Sequence, residues 1–167
     1  DSVQGSIFVY KKIDGIFVFF QQIRLYGAEF KGHRNFGAKI VSSNDYLFTN
    51  SVGDDLTGWV HVFFRSGGDG RYSKKLSENG EEDAQPNDLF AADMIYDSNK
   101  NLLYVSHPGY VDENNKNTGC VWAVVPDGSN LWRIDSSLIS FPVKNIGGSP
   151  FYFEDNLLYN LNISFDG

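Results

Sequence analysis

One cysteine, Cys120, in 167 residues leaves no internal disulfide framework and no cysteine-rich zinc site. Positive charge is in the minority: 14 Lys and Arg face 21 Asp and Glu, for a net charge of −7. That balance excludes the basic stripe of a general nucleic-acid binder and the polybasic patch of a membrane-surface protein. Long hydrophobic runs are missing too. The apolar stretch Ile16-Phe17-Val18-Phe19-Phe20 has the length of a strand, far short of the ~18–20 residues of a membrane span. No segment sustains a 3.6-residue apolar period, so nothing longer than a helical turn or two is expected. The chain opens at Asp1 with no targeting signal before it and reads as a processed or excised segment.

Aromatic residues are plentiful, with 14 Phe, 9 Tyr and 3 Trp beside 17 Gly. Aromatic and β-branched enrichment with many glycines points to β-structure. The length is that of one domain and is enough to bury a core without metal or disulfide staples.

Three segments share a strand-like core that starts at a glycine: Gly5-Ser6-Ile7-Phe8-Val9-Tyr10, Gly58-Trp59-Val60-His61-Val62-Phe63 and Gly119-Cys120-Val121-Trp122-Ala123-Val124. Thr57 and Thr118 precede the last two. A second block, Tyr46-Leu47-Phe48-Thr49-Asn50-Ser51, aligns with Leu102-Leu103-Tyr104-Val105-Ser106-His107 and with Leu157-Leu158-Tyr159-Asn160-Leu161-Asn162. A polar turn precedes each copy of this block, and a short apolar strand precedes each turn (residues 38–41, 92–96 and 149–153). After each glycine strand comes a Gly/Asp turn and a further strand (15–25, 72–76 and 130–134), which is hairpin chemistry. The unit is therefore four short strands in ~55–60 residues, the content of a β-propeller blade. A sheet of that kind cannot bury both faces alone and must stack on its neighbours.

These residues resemble the FG-GAP repeat, known from the propeller of integrin α-subunits and from bacterial surface and phage virion proteins. Phe36-Gly37 stands at the Phe-Gly position, Val105-Ser106-His107-Pro108-Gly109-Tyr110 at the Gly-Ala-Pro element, and Thr57-Gly58-Trp59-Val60-His61-Val62-Phe63 at the third-strand signature. Leu89-Phe90-Ala91 and Gly147-Gly148 occupy the Phe-Gly place in the later units. The resemblance implies an all-β chain of about three four-stranded antiparallel blades. The units run roughly 1–34 (partial), 35–87, 88–144 and 145–167 (partial). An all-β sandwich or jelly roll is the alternative. Closed propellers typically take ~4–8 blades, so the segment is expected to belong to a larger propeller, or copies assemble to complete a ring.

The resemblance also implies calcium, held by a loop of alternating Asp residues between the first two strands of a blade. Of the three equivalent turns only Asp97-Ser98-Asn99-Lys100-Asn101 keeps the spacing. One carboxylate is little charge for an ion that takes ~6–8 oxygens, so a polar β-turn is expected there. Cys120 lies within a glycine strand and reads as a small hydrophobe. His61 alternates with Val60 and Val62 and should face away from both; His33 and His107 have no metal spacing, and His107 is placed in a loop. The acidic runs Asp54-Asp55, Glu81-Glu82-Asp83 and Asp112-Glu113 read as solvated loops, Ser66-Gly67-Gly68-Asp69-Gly70 as a hairpin loop, and Asn162-Ile163-Ser164 as a formal sequon. On the presumed innermost strands the only matched polar residues are Lys39 and Asp93.

The expected function is a non-enzymatic structural or interaction module of an extracellular or virion assembly, such as a phage tail, contacting protein or glycan partners, or further blades, through its loops. No residue is assigned a catalytic, cofactor-binding or metal-binding role, and no cofactor, nucleic acid or membrane insertion is expected. Two alternatives stand beside it: a calcium-binding integrin-like adhesion domain, and a propeller lyase or hydrolase with its site on the central axis.

Overall fold

A computed structural model describes residues 5–27, 32–53, 56–65, 67–78, 89–110 and 120–126, together with the strand backbones of 132–135, 151–154 and 157–160. The protein is all-β, and the described residues contain no helix. Among the described residues twelve strands follow in order: β1 (Ile7–Ile13), β2 (Ile16–Ile23), β3 (Ile40–Ser42), β4 (Tyr46–Val52), β5 (Gly58–Arg65), β6 (Tyr72–Glu78), β7 (Met94–Asp97), β8 (Leu102–His107), β9 (Cys120–Pro126), β10 (Trp132–Asp135), β11 (Phe151–Glu154) and β12 (Leu157–Asn160). They form two four-stranded antiparallel meanders, β3-β4-β5-β6 and β7-β8-β9-β10, and two hairpins, β1-β2 and β11-β12.

Local chemistry sets the registers. Asp14 and Gly15 both have positive φ (49° and 85°) and join Ile13 to its partner Ile16, the geometry of a two-residue primed turn. The same irregularity recurs in two sheets. The β1–β2 register shifts between Val9 and Tyr10, and the β5–β6 register shifts between Val62 and Phe63, the matching residues of the glycine-strand repeat. Pairing also reproduces the alignment of the second block, since Ser51 lies opposite Trp59 and His107 opposite Cys120.

Both meanders begin with one turn. Asn35 and Leu89 have φ of 56° and 51°, and Gly37 and Ala91 have 88° and 58°. The amide of Ala38 bonds the Asn35 carbonyl (2.9 Å) as that of Ala92 bonds Leu89 (3.0 Å). The Gly37 and Ala91 amides bond the carbonyls of Asn50 (3.1 Å) and Ser106 (2.8 Å). The side chains of those same two residues accept from the amides of Lys39 (2.9 Å) and Asp93 (2.7 Å). Backbone donors at the start of each meander are thus satisfied by the same polar position on the second strand.

The sheets stack face to face, so strand residues of both parities are buried. One core lies between β1–β2 and β3–β6 and holds Ile7, Ile23, Leu25, Phe36, Leu47 and Phe63. The other lies between β3–β6 and β7–β10 and is built on Phe48, Val60, Val62, Phe90, Leu103, Val105, Trp122 and Val124. Each fully buried side chain of this size contributes roughly 1.5–3 kcal/mol. The glycines that open β5 and precede β1 let the sheets meet closely. A Cβ on Gly58 would overlap the carbonyl of Phe90 and stand 2.6 Å from its nitrogen. A Cβ on Gly5 would overlap the Phe36 carbonyl oxygen in the same way. The repeated glycine of one sheet is therefore the seat of the repeated phenylalanine turn of the next. Gly119 and the loops 79–88 and 111–118 lie outside the described residues, as do Asp54-Asp55, Glu81-Glu82-Asp83, Asp112-Glu113 and the sequon.

Candidate polar cleft between two strand turns

The turns joining β3 to β4 and β7 to β8 come from neighbouring sheets and open onto one cleft of about 800 Å³, lined by Ser42, Ser43, Asn44, Asp45, Tyr46, Tyr96, Ser98 and Asn101. Its walls are held by aromatic packing. The ring of Phe48, fully buried, lies 5.9 Å from Tyr46 on its own sheet and 5.3 Å from Tyr96 on the next. Tyr46 also meets Phe64 at 5.5 Å. Both tyrosines line the cleft and are half-buried, with rings packed on Phe48.

The Tyr96 hydroxyl donates to Asn101 Oδ1 at 2.6 Å. Its pKa is raised, first by burial, with Tyr46, Asp45 and Asp97 adding to the rise and a hydrogen bond to Ser43 opposing it. The phenol is therefore a protonated hydrogen-bond donor at neutral pH. Ser43 Oγ accepts from the amide of Tyr46 at 3.0 Å, closing the β3–β4 turn. The cleft offers hydroxyls, amides, tyrosine rings and the exposed carboxylate of Asp45.

The turn that kept the calcium-loop spacing is one wall of this cleft. Asp97 Oδ1 accepts from the amides of Asn99 (2.9 Å) and Lys100 (3.2 Å), and Oδ2 lies 3.8 Å from Lys100 Nζ. Asn101 takes a positive φ of 54°. This is an Asx turn in which the carboxylate holds its own backbone. Among the described residues no three His, Cys, Asp or Glu side chains are grouped to hold a metal ion.

The first strands of the two meanders start later than residues 38 and 92, at Ile40 and Met94, so Lys39 and Asp93 are the matched residues just before them. They come together as an ion pair with Nζ 3.2 Å from Oδ1. Cys120, the one cysteine of the sequence, is partly buried against the second core. His107 is not in a loop: it is the last residue of β8, 2% exposed, because β8 continues to pair with β9 as far as Cys120. Its Nδ1 accepts from the Trp122 indole at 3.0 Å.

His61 does face away from Val60 and Val62, yet it is fully buried, because that side of the sheet is covered as well. Its Nε2 lies 2.7 Å from Ser51 Oγ, and Ser51 Oγ lies 2.8 Å from Nδ1 of His33. All three are buried, with Phe36 and Trp59 packed against the rings. The His61 pKa is lowered from 6.5 to about 3, by burial first, then by His33 and Lys74. Ser51 is closed off from any substrate, so this chain of hydrogen bonds orders the core. Strand alternation alone could not identify it, since His33 enters from outside any strand. No helix of the described residues is long and apolar enough to cross a membrane.

No family model matches the chain, and no curated protein or solved structure matches it.

Proposed function

We propose that the chain is a non-enzymatic interaction module, a run of β-propeller blades of the FG-GAP type from an extracellular or virion assembly, whose ring takes more sheets than this chain carries. We infer that its partner is a neutral glycan seated in the cleft between the β3–β4 and β7–β8 turns. The observation that supports this reading is the convergence of these two turns, from adjacent sheets, on one open polar cleft with anchored tyrosines. Sugar rings offer apolar faces to aromatic side chains and vicinal hydroxyls to carboxylates and amides. Asp45, Asn44, Ser98, Asn101 and the Tyr96 hydroxyl supply that complement. The histidines supply no competing chemistry, because each is buried in a packed core.

The test is an oligosaccharide array followed by calorimetry on the best ligand. Asn101→Gly keeps the positive φ and removes the amide. Each lost neutral hydrogen bond is worth ~0.5–1.5 kcal/mol, so binding should weaken about three- to tenfold. Asp45→Ala removes a charged acceptor, worth ~1.5–3 kcal/mol, and should weaken binding by about ten- to 150-fold. A folded protein that retains no oligosaccharide, or one whose affinity is indifferent to both substitutions, would refute the proposal.

A further inference from the structure

A charged site lies between the β1–β2 hairpin and residues 67–71 of the β5–β6 loop. It starts from the bulge in the hairpin. Tyr10 pairs with Phe19 and Val9 with Gln21, so Phe20 is the extra residue of β2. A bulge re-aims a side chain, and here two consecutive residues of β2 reach the same neighbour. Gln21 Nε2 donates to the Tyr72 carbonyl at 2.8 Å, and Gln21 Oε1 accepts from the Tyr72 amide at 2.8 Å. Phe20 meets the residue before it, with the Arg71 guanidinium carbon 5.1 Å from the ring centre. The hairpin is thereby tied to the start of β6.

Lys11 comes to the same ring from β1. Its Nζ lies 3.6 Å from the Phe20 ring centre and donates to the Asp69 carbonyl at 3.0 Å. Gly70, at φ 76°, leaves room for it: a Cβ there would stand 3.5 Å from Nζ. Arg71 is set by Asp69, whose Oδ1 accepts from the Arg71 amide at 2.9 Å and whose Oδ2 lies 3.6 Å from Nε. One phenylalanine ring thus gathers an ammonium and a guanidinium, and cation–π attraction offsets the repulsion between them. Their donors are not used up. A guanidinium carries five N–H donors and an ammonium three. Among the described residues no hydrogen bond takes up the two terminal nitrogens of Arg71 or the other two protons of Lys11. The Arg71 side chain is 57% exposed, so a solute reaches it. The surroundings are positive too. Residues 5–27 and 65–74 carry Lys11, Lys12, Arg24, Arg65, Arg71 and Lys74 against Asp14 and Asp69, within a chain of net charge −7. A local field of that sign concentrates anions.

We propose that Lys11 and Arg71 form a binding site for a tetrahedral oxyanion, a sulfate or phosphate group, beside the Phe20 ring. A carboxylate has two oxygens and is satisfied by the guanidinium fork alone. A tetrahedral group has a further oxygen for the ammonium held at the same ring. The group arrives as the free ion or as an ester on a sugar, and the chemistry at the site is the same for both. Both walls of the site are described parts of this chain, and the site is independent of what the cleft binds.

The test is nuclear magnetic resonance of the full chain, reading the Arg71 Nε–H and the Gly70 amide. Sodium sulfate and sodium phosphate should shift both signals saturably, and sodium chloride or acetate at matched ionic strength should not. Lys11→Gln should weaken sulfate binding about two- to fivefold. Arg71→Lys keeps the charge, removes the fork and should weaken it as much. Lys12→Gln, which alternates to the other side of β1, should leave it unchanged. A sulfated oligosaccharide that binds more tightly than inorganic sulfate, with its desulfated form inert at these two signals, supports the site and assigns the source to a glycan. Equal affinity supports it and assigns the source to the free ion. Arg71 is exposed and precedes the first residue of β6, so its variant keeps the fold and the result stays readable even where Lys11→Gln loosens the hairpin. Shifts as large with chloride or acetate, or sulfate binding that survives both Lys11→Gln and Arg71→Lys, would overturn the proposal.

Discussion

Replacing Gly58 with alanine tests the packing between β3–β6 and β7–β10 with a single methyl group. The added carbon would overlap the Phe90 carbonyl and stand 2.6 Å from the Phe90 nitrogen. What it meets is backbone, and that backbone is held from several sides. Asn50 Nδ2 donates to the Ala91 carbonyl at 3.0 Å, the Ala91 amide bonds Ser106 and the Ala92 amide bonds Leu89. Gly58 itself has no left-handed φ, so the cost is one of contact alone. Overpacking of this kind costs typically ~1–3 kcal/mol, and a rigid obstacle places it at the upper end. Separation would also unseat Phe90, 1% exposed, and forfeit part of the ~1.5–3 kcal/mol of its burial. The expected loss is about 3 kcal/mol, or a fall in Tm of roughly 6–12 °C at this chain length. Urea and thermal unfolding followed by tryptophan fluorescence would measure it. Gly67→Ala is the control, since a Cβ there meets nothing within 4 Å and the loss should stay within about 0.5 kcal/mol. A Gly58→Ala protein as stable as that control would refute the seam between the sheets.

Two further outcomes follow from the same structure. His61 holds a pKa of about 3 when folded against an ordinary 6.5, so the unfolded chain binds a proton that the folded chain refuses. Its contribution is complete above ~6.5 and is lost as pH falls toward ~3, with a slope approaching ~1.4 kcal/mol per pH unit. His61→Gln should flatten this part of the urea-midpoint profile between pH 7.5 and 4.5, and an unchanged slope would refute the assignment. Leu89, exposed and at φ 51°, occupies the turn position that Asn35 fills in the preceding meander. Because asparagine tolerates that conformation better, Leu89→Asn should raise stability by ~0.5–1 kcal/mol, and a lowered urea midpoint would count against it.

Strand positions were legible because the polar turns and glycine starts recur in register, and pairing in the sheet preserves that register: Ser51 and His107 face the same partner positions in successive sheets. The cleft was only half legible. Its two turns could be found as the segments 43–45 and 97–101, but nothing local tells that they converge, since that depends on how one sheet lies on the next. Burial of His61 was not legible for the same reason. Alternation placed His61 opposite Val60 correctly, yet in a stacked sheet the opposite side is another core rather than solvent. The pairing of Lys39 with Asp93 was likewise hidden, because matched positions in a repeat become neighbours only when first strands converge.

The glycine–phenylalanine seam also bears on how the protein is made. Gly5 meets Phe36, and Gly58 meets Phe90, each about thirty residues further along the chain. Each of these two sheets thus meets, on one face, a segment synthesised shortly after it. Contacts of such short range favour rapid folding, and at translation speeds the wait for each partner is a few seconds. The molecule can therefore be consolidated from its amino end one sheet at a time, with the newest sheet always the least stable until its successor arrives.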